Sequence, residues 1–212
     1  MMYRVMIVED DPMAQQLLGI YIKNSPNYEL VCCIESAAMA EVHCLSERID
    51  LILMDVCTAM NASGLEASGK IKKYHSEIKI VIITSQPEHT FITNARAVGV
   101  DSFWYKSATA EEILSIMDRT MKGESIYPET TPTIALGNAL TDTFSKRELD
   151  VLRLVVEGEM DTAIAEKLYI SVSTVKYHIQ NMKSRTGFRN RTELAVKARA
   201  CGFIIDDMML KK

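Results

Sequence analysis

A chain of 212 residues has room for one large or two small domains. Hydrophobic content of 48% is ordinary for a globular protein, and no apolar run approaches the ~20 residues of a membrane helix. The net charge of −4 hides an asymmetry, since residues 1–140 carry 11 Lys+Arg and 18 Asp+Glu while residues 141–212 carry 13 and 10. An acidic part joined to a mildly basic part suggests two domains, the second able to meet phosphates. The opening Met1-Met2-Tyr3-Arg4 runs straight into an apolar stretch without a signal-peptide pattern, so a cytoplasmic location and no membrane partner are expected. Five cysteines (Cys32, Cys33, Cys44, Cys57, Cys201) without a C-x-x-C point to reduced thiols, not a disulfide framework or a zinc ribbon.

The first ~121 residues alternate strand and helix. Strands are expected at 4–8, 29–34, 50–54, 79–83 and 101–105, and helices at 12–23, 37–46, 65–74, 88–98 and 110–121. Pro12 suits a first helical turn, and Gly99 and Gly123 read as stops. This β-α repeat demands a parallel, doubly wound sheet with right-handed crossovers, and five such strands suit the flavodoxin-like order 2-1-3-4-5. Residues 122–143, with Gly123, Pro128, Pro132, Gly137 and three threonines between 130 and 133, read as a polar linker. From residue 144 to 212 the pattern is all helical, expected as four helices. Ser145-Lys146-Arg147-Glu148 is a capping box, and further helices are expected at 161–168, 171–185 and 191–200. Two helices joined by a tight turn at Tyr169-Ile170-Ser171 form a helix-turn-helix pattern.

The chemistry collects at strand ends. Val5-Met6-Ile7-Val8 delivers Glu9, Asp10 and Asp11; Leu51-Ile52-Leu53-Met54 delivers Asp55; Ile80-Val81-Ile82-Ile83 delivers Thr84 and Ser85; Phe103-Trp104-Tyr105 delivers Lys106. Open α/β sheets hold ligands just past the carboxyl ends of their strands. If these strands are neighbours, acids, a hydroxyl and an ammonium group converge on one edge, as a Mg2+-dependent phosphate-accepting site requires. Mg2+ prefers oxygen ligands in octahedral geometry and keeps several waters. Asp10 and Asp55 could bind it, with Glu9 acting through water, while Thr84 and Lys106 could meet phosphoryl oxygens.

These residues resemble the receiver domain of bacterial response regulators, over residues 1–121. The resemblance implies that Asp55 is the phosphoacceptor, with Glu9, Asp10, Asp55 and the backbone carbonyl of Cys57 around the metal. It implies that Thr84 follows the phosphoryl group, that Lys106 bridges to it, and that Phe103 swings inward when Thr84 moves. The loop 56–64 departs from the family pattern: it lacks the usual proline and is one residue longer.

Residues 141–205 resemble the LuxR-type DNA-binding domain of the NarL/FixJ class, on Ser145–Glu148, Val151-Leu152, Gly158, Ile164-Ala165, Leu168, Ile170-Ser171, Thr174-Val175-Lys176, His178, Arg191–Leu194 and Gly202. On the helix 171–185, Val172, Val175, Ile179 and Met182 are spaced to face a core. The opposite face carries Ser173, Lys176, Tyr177 and Gln180. Lys can donate to guanine and Gln can pair with adenine, so base reading falls to Lys176, Tyr177 and Gln180. Thr174, Lys183 and Arg185 suit phosphate anchoring.

The reading is therefore a transcriptional response regulator and not an enzyme beyond its own phosphotransfer and dephosphorylation. A histidine kinase is expected to phosphorylate Asp55, and a homodimer to bind promoter double-stranded DNA, with RNA polymerase a further candidate partner. One alternative is a phosphorylation-independent receiver serving as a dimer module. Another, an aspartyl-phosphate hydrolase, wants a second acid two residues after Asp55, where Cys57 stands.

Overall fold

The structure is a computed structural model describing residues 2–88 and 90–204. Over these residues the chain divides into two compact units, 2–85 with 90–129, and 86–88 with 130–204.

The first unit holds strands β1 (Tyr3–Val8), β2 (Tyr28–Ile34), β3 (Leu51–Met54), short β4 (Cys57–Thr58) and β5 (Ala62–Ser63), β6 (Lys79–Thr84) and β7 (Ser102–Tyr105). Between them lie α1 (Pro12–Lys23), α2 (Ala40–Ser46), α3 (Gly64–Tyr74) and α4 (Thr90–Ala97), and α5 (Ala110–Met121) follows β7. The main sheet runs β2-β1-β3-β6-β7, with every pairing parallel. This is the expected doubly wound order. The fourth helix, expected from 88, begins among the described residues at Thr90; Glu88 belongs to no helix, and residue 89 lies outside the described residues.

Continuous apolar runs form these strands because both faces are covered. One face, with Val5, Ile7, Leu51, Leu53, Val81 and Ile83, packs on Leu18 and Ile22 of α1 and on Ile113, Ile116 and Met117 of α5. The alternate residues Met6, Val8, Ile52, Met54, Ile80 and Ile82 are equally buried, as are Ile71 of α3 and Phe91 of α4. Register places Val8 beside Met54, Met54 beside Ile82, and Thr84 beside Tyr105. The polar residues just past these pairs therefore emerge on one edge.

Local signals set the helix ends. Asp11 caps α1, its side chain accepting from the Met13 N–H at 2.8 Å. Thr109 and Glu112 form a capping box on α5.

The segment 122–143 is more ordered than its composition suggests. Ile126 is buried against the first unit, and Phe103 N–H donates to its carbonyl at 2.8 Å. Residues 135–140 form a hairpin of β8 (Ala135–Leu136) and β9 (Ala139–Leu140), whose Leu136 and Ala139 enter the core of the second unit. Linker composition concealed two packed pieces, because the few apolar residues among the prolines and threonines are the ones buried.

The second unit continues with α6 (Lys146–Val156), α7 (Asp161–Leu168), α8 (Val172–Thr186) and α9 (Arg191–Ala200). Its core joins Leu149, Val151, Leu152 and Val155 of α6, Ile164 of α7, Val175, Ile179 and Met182 of α8, and Leu194 and Ala198 of α9. The Ser145–Glu148 capping box forms as expected. Tyr169 ends α7 in the left-handed region at φ 54, the tight turn between α7 and α8.

Candidate functional site

Asp55 sits one residue past β3, 7% exposed, its N–H donating to Val8 carbonyl at 2.9 Å. Its Oδ1 accepts from the Val56 N–H at 2.6 Å, and its Oδ2 accepts from the Lys106 Nζ at 2.7 Å. The Thr84 hydroxyl, fully buried at the end of β6, also hydrogen-bonds the Asp55 carboxylate. Lys106 Nζ reaches Glu9 Oε2 at 2.5 Å, so one ammonium group spans both acids. Carboxylate oxygens of Glu9, Asp10 and Asp55 all lie within 4.8 Å of one another. The expected site residues from four strand ends thus come together. Asp11, by contrast, is occupied as a helix cap.

Burial governs the protonation of this cluster. It raises the Asp55 carboxyl above the ordinary aspartate range, against the pull of Lys106, Thr84 and the Val56 N–H. Burial first, and then the charge of Asp55, raises Glu9. Burial also works against the Lys106 ammonium, but Asp55 and Glu9 outweigh it and hold its pKa above the ordinary lysine value. Three carboxylates facing one lysine leave an excess of negative charge, with oxygen donors only. That donor set suits a hard dication.

The loop after Asp55 is built by hydrogen bonds. β4 and β5 pair antiparallel across a turn at Ala59–Asn61 in which Met60 (φ 62) and Asn61 (φ 54) are left-handed. Thr58 Oγ1 donates to Ala62 carbonyl at 2.8 Å and accepts from Ala37 N–H at 2.9 Å. Ser36 Oγ donates to the Ala59 carbonyl at 3.0 Å. The added residue is therefore absorbed in a tight hairpin fastened to the segment before α2. Gly64 closes the loop against Asp55: a Cβ there would stand 1.8 Å from the Asp55 carbonyl oxygen.

Phe103 is fully buried in β7, edge-on to Tyr105 with ring centroids 5.5 Å apart and planes at 77°. The sequence reading singled out Phe103 but missed its partner Tyr127, whose ring lies nearly parallel to it at 6.3 Å.

In the second unit, Ser171 caps α8 by accepting from the Thr174 N–H at 3.0 Å. Val175, Ile179 and Met182 are buried while Ser173, Lys176, Tyr177 and Gln180 are exposed, which separates core and outward faces as the spacing predicts. Tyr177 is 63% exposed and lies edge-on to His178. Thr174 hydroxyl is drawn to Ser171 Oγ at 2.8 Å, and Lys183 Nζ donates to Gln180 Oε1 at 3.2 Å.

Arg185 differs from its expected placement as a phosphate anchor. Its guanidinium donates to Glu148 Oε1 at 2.5 Å and to Thr143 carbonyl at 2.8 Å, and it lies over the Phe144 ring at 4.6 Å. These bonds tie α8 to the start of α6 and engage both terminal nitrogens of the guanidinium. Amphipathic spacing placed Arg185 at a helix end, and the buried acid on α6 decided its direction. Asp161 is similarly engaged, accepting from Arg191 at the start of α9.

A parallel sheet with this acid–hydroxyl–lysine edge, joined to a helix-turn-helix unit, defines a receiver coupled to a DNA-binding domain. Residues 5–118 match the family model described as response regulator receiver domain, and residues 142–198 that of bacterial regulatory proteins, luxR family. The chain belongs to the response-regulator family and is a LuxR-type DNA-binding transcriptional regulator. It is 30% identical over 206 residues to response regulator protein VraR of Staphylococcus aureus, covering 93% of this chain and 97% of that one. In fold it resembles RcsB from Salmonella enterica serovar Typhimurium bound to a promoter in the presence of phosphomimetic BeF3-, with TM-score 0.62 and 17% identity, covering 92% of this chain and 97% of that one. RcsB dimers bound to two parallel DNAs align with TM-score 0.65 and 17% identity, over 94% of this chain and 99% of that one.

Proposed function

We propose that Asp55 accepts a phosphoryl group from the phosphohistidine of a histidine kinase, and that this modification tunes promoter binding by α8. The observation that carries the reading is the buried Asp55 carboxylate held by both Lys106 and Thr84, with Glu9 and Asp10 alongside. In the transfer, an Asp55 oxygen bonds to phosphorus as the nitrogen–phosphorus bond breaks, and the imidazole leaves. Lys106 is placed to follow charge from carboxylate to phosphoryl oxygen, and the Thr84 hydroxyl to move with it. Glu9, Asp10, Asp55 and the Cys57 carbonyl would hold Mg2+, which supplies charge neutralisation for the incoming phosphate. A chain that alters only its own acceptor in this way is not an enzyme in the ordinary sense.

On DNA, Lys176, Tyr177 and Gln180 read bases, while Ser173, Thr174 and Lys183 set register through phosphates. The RcsB complexes support a homodimer on promoter DNA as the binding form. A cytoplasmic location fits this work, and no helix among the described residues is long and apolar enough to cross a membrane.

The deciding experiment is incubation with acetyl phosphate and Mg2+, followed by phosphate-affinity electrophoresis. The native chain should shift and Asp55→Ala should not; a persistent shift in the variant would remove Asp55 as acceptor.

A further inference from the structure

The chain that leaves α5 does not part from the sheet. Gly123, at φ +92, turns it back, and it then runs beside β7, the strand at one edge of the main sheet. Phe103 N–H donates to the Ile126 carbonyl at 2.8 Å, and Ile126 N–H donates to Ser102 Oγ at 3.1 Å. Ser102 Oγ is itself bonded to Thr120 Oγ1 of α5 at 2.7 Å. Ile126 is thus held by the backbone and a buried hydroxyl pair, whatever the side chain of Phe103 does.

Tyr127, the next residue, is held differently. Its ring lies nearly parallel to that of Phe103, with centroids 6.3 Å apart and planes at 15°. The Arg96 guanidinium of α4 lies over the Tyr127 ring at 3.8 Å. Its hydroxyl donates to the Val100 carbonyl at 2.7 Å. Burial pushes this phenol up to about 12, so it remains a donor at neutral pH. Of the two residues, Ile126 is an anchor indifferent to the Phe103 ring and Tyr127 is in contact with it. Asp55, Thr84, Tyr105 and Phe103 form a chain of neighbours: Thr84 hydrogen-bonds Asp55 and lies opposite Tyr105 in the β6–β7 register, and Tyr105 packs edge-on to Phe103.

We infer that Tyr127 is a positioning residue that reads the placement of the Phe103 ring and passes it to the chain leading into the DNA-binding unit. The inference rests on the proposed phosphoacceptor role of Asp55. Phe103 is already inward and fully buried. A phosphoryl group that fixes Thr84 would hold the ring there, and Tyr127 would keep its stacking face. Residues 124–129 would then stay docked on β7. When Phe103 is free to move, Tyr127 loses that face, and the same residues open more often through the remaining bonds. Ligand binding shifts such an equilibrium only as far as it favours one state over the other.

The test is hydrogen exchange on the full chain, with and without beryllofluoride and Mg2+ as the phosphoryl probe. In the native chain, beryllofluoride should slow exchange in peptides covering 56–64, around the acceptor, and should slow 124–129 several-fold. In Tyr127→Leu the response at 56–64 should persist while that at 124–129 disappears. Tyr127→Phe keeps the ring and loses the Val100 bond, so it should retain most of the response, and it serves where the leucine variant fails to fold. An unchanged response at 124–129 in Tyr127→Leu, with a normal response at 56–64, overturns the coupling alone. No response at 56–64 in the native chain overturns the acceptor reading and this inference with it.

Discussion

The two proposed working surfaces of this protein are built on opposite plans. At the proposed acceptor edge Glu9, Asp55 and Thr84 are buried and joined by hydrogen bonds and by Lys106, with Glu9 1% and Thr84 0% exposed, while Asp10 stands in solvent. On α8 they stand in solvent, Tyr177 being 63% exposed, and Ser173, Lys176 and Gln180 lie outward. The difference follows from the chemistry. An acyl phosphate site needs its oxygens fixed against one another, which a packed sheet edge supplies. A recognition helix needs donors with no prior commitment, and packing would take them away, as it has taken Arg185. Substitutions should therefore disturb geometry and stability together at the first surface, and affinity alone at the second.

The largest effect is expected at Gly64. An alanine Cβ would collide with the Asp55 backbone, where the atom in the way is main chain and cannot rotate aside. Gly64→Ala should cost on the order of 3 kcal/mol by urea unfolding and should slow labelling by acetyl phosphate. A variant of native stability that labels normally would show that the acceptor edge is less rigid than its packing implies.

Glu148→Ala comes next, because it removes a cap and takes from the Arg185 guanidinium its carboxylate partner. Glu148 accepts from Ser145 N–H at 2.9 Å and from Arg185 at 2.5 Å, and these partners hold its carboxyl below the ordinary range despite burial. The loss should be about 2–3 kcal/mol, read as a lower urea midpoint. This variant tests the comparison from within the DNA-binding unit, where a buried brace should behave like the acceptor edge.

A pH-dependent effect of similar or smaller size is expected at Asp101. Burial opposes its charge, but Lys72 and Lys79 Nζ at 2.9 Å each, with the Ile80 N–H, hold its carboxyl below the ordinary 3.8. The stabilisation is complete above that value and is lost as pH falls through the depressed one. Asp101→Asn should cost about 1–2 kcal/mol at pH 7, and the gap from the native chain should close in acid. A gap that stays constant with pH would mean that the loss comes from packing and not from the carboxylate's charge.

The smallest effects on stability belong to α8. Lys183→Ala should leave the urea midpoint within about 0.5 kcal/mol. On a nonspecific duplex it should lower the slope of log affinity against log salt by about one. A loss of folding stability instead would place Lys183 with Arg185 among the braces.

Much of this contrast was legible in the sequence. Val5–Val8 and Leu51–Met54 are apolar without alternation, so both faces had to be covered, and the polar residue after each run had to emerge at the edge. Ser145 and Glu148 announced a helix start, and the 3-4-3 spacing of Val172, Val175, Ile179 and Met182 separated the two faces of α8. What stayed hidden depends on partners remote in the chain. Arg185 bonds Glu148 across 37 residues, and nothing local distinguishes it from Lys183. Thr58 fastens the atypical loop to Ala37, 21 residues earlier. Ile126 and Tyr127 sit in a stretch whose prolines and threonines suggest solvent, and only the open margin of β7 explains why they dock.

That docking bears on how the receiver can be cut from the chain. A strand at the margin of a sheet carries main-chain donors and acceptors that invite pairing with another molecule, and natural proteins shield them. Ile126 is such a shield, since its carbonyl takes the Phe103 amide. A fragment trimmed at Met121, where α5 ends, would bare that amide and the apolar flank beside it and should self-associate. One extended to Glu129 carries its own cover and should remain dispersed.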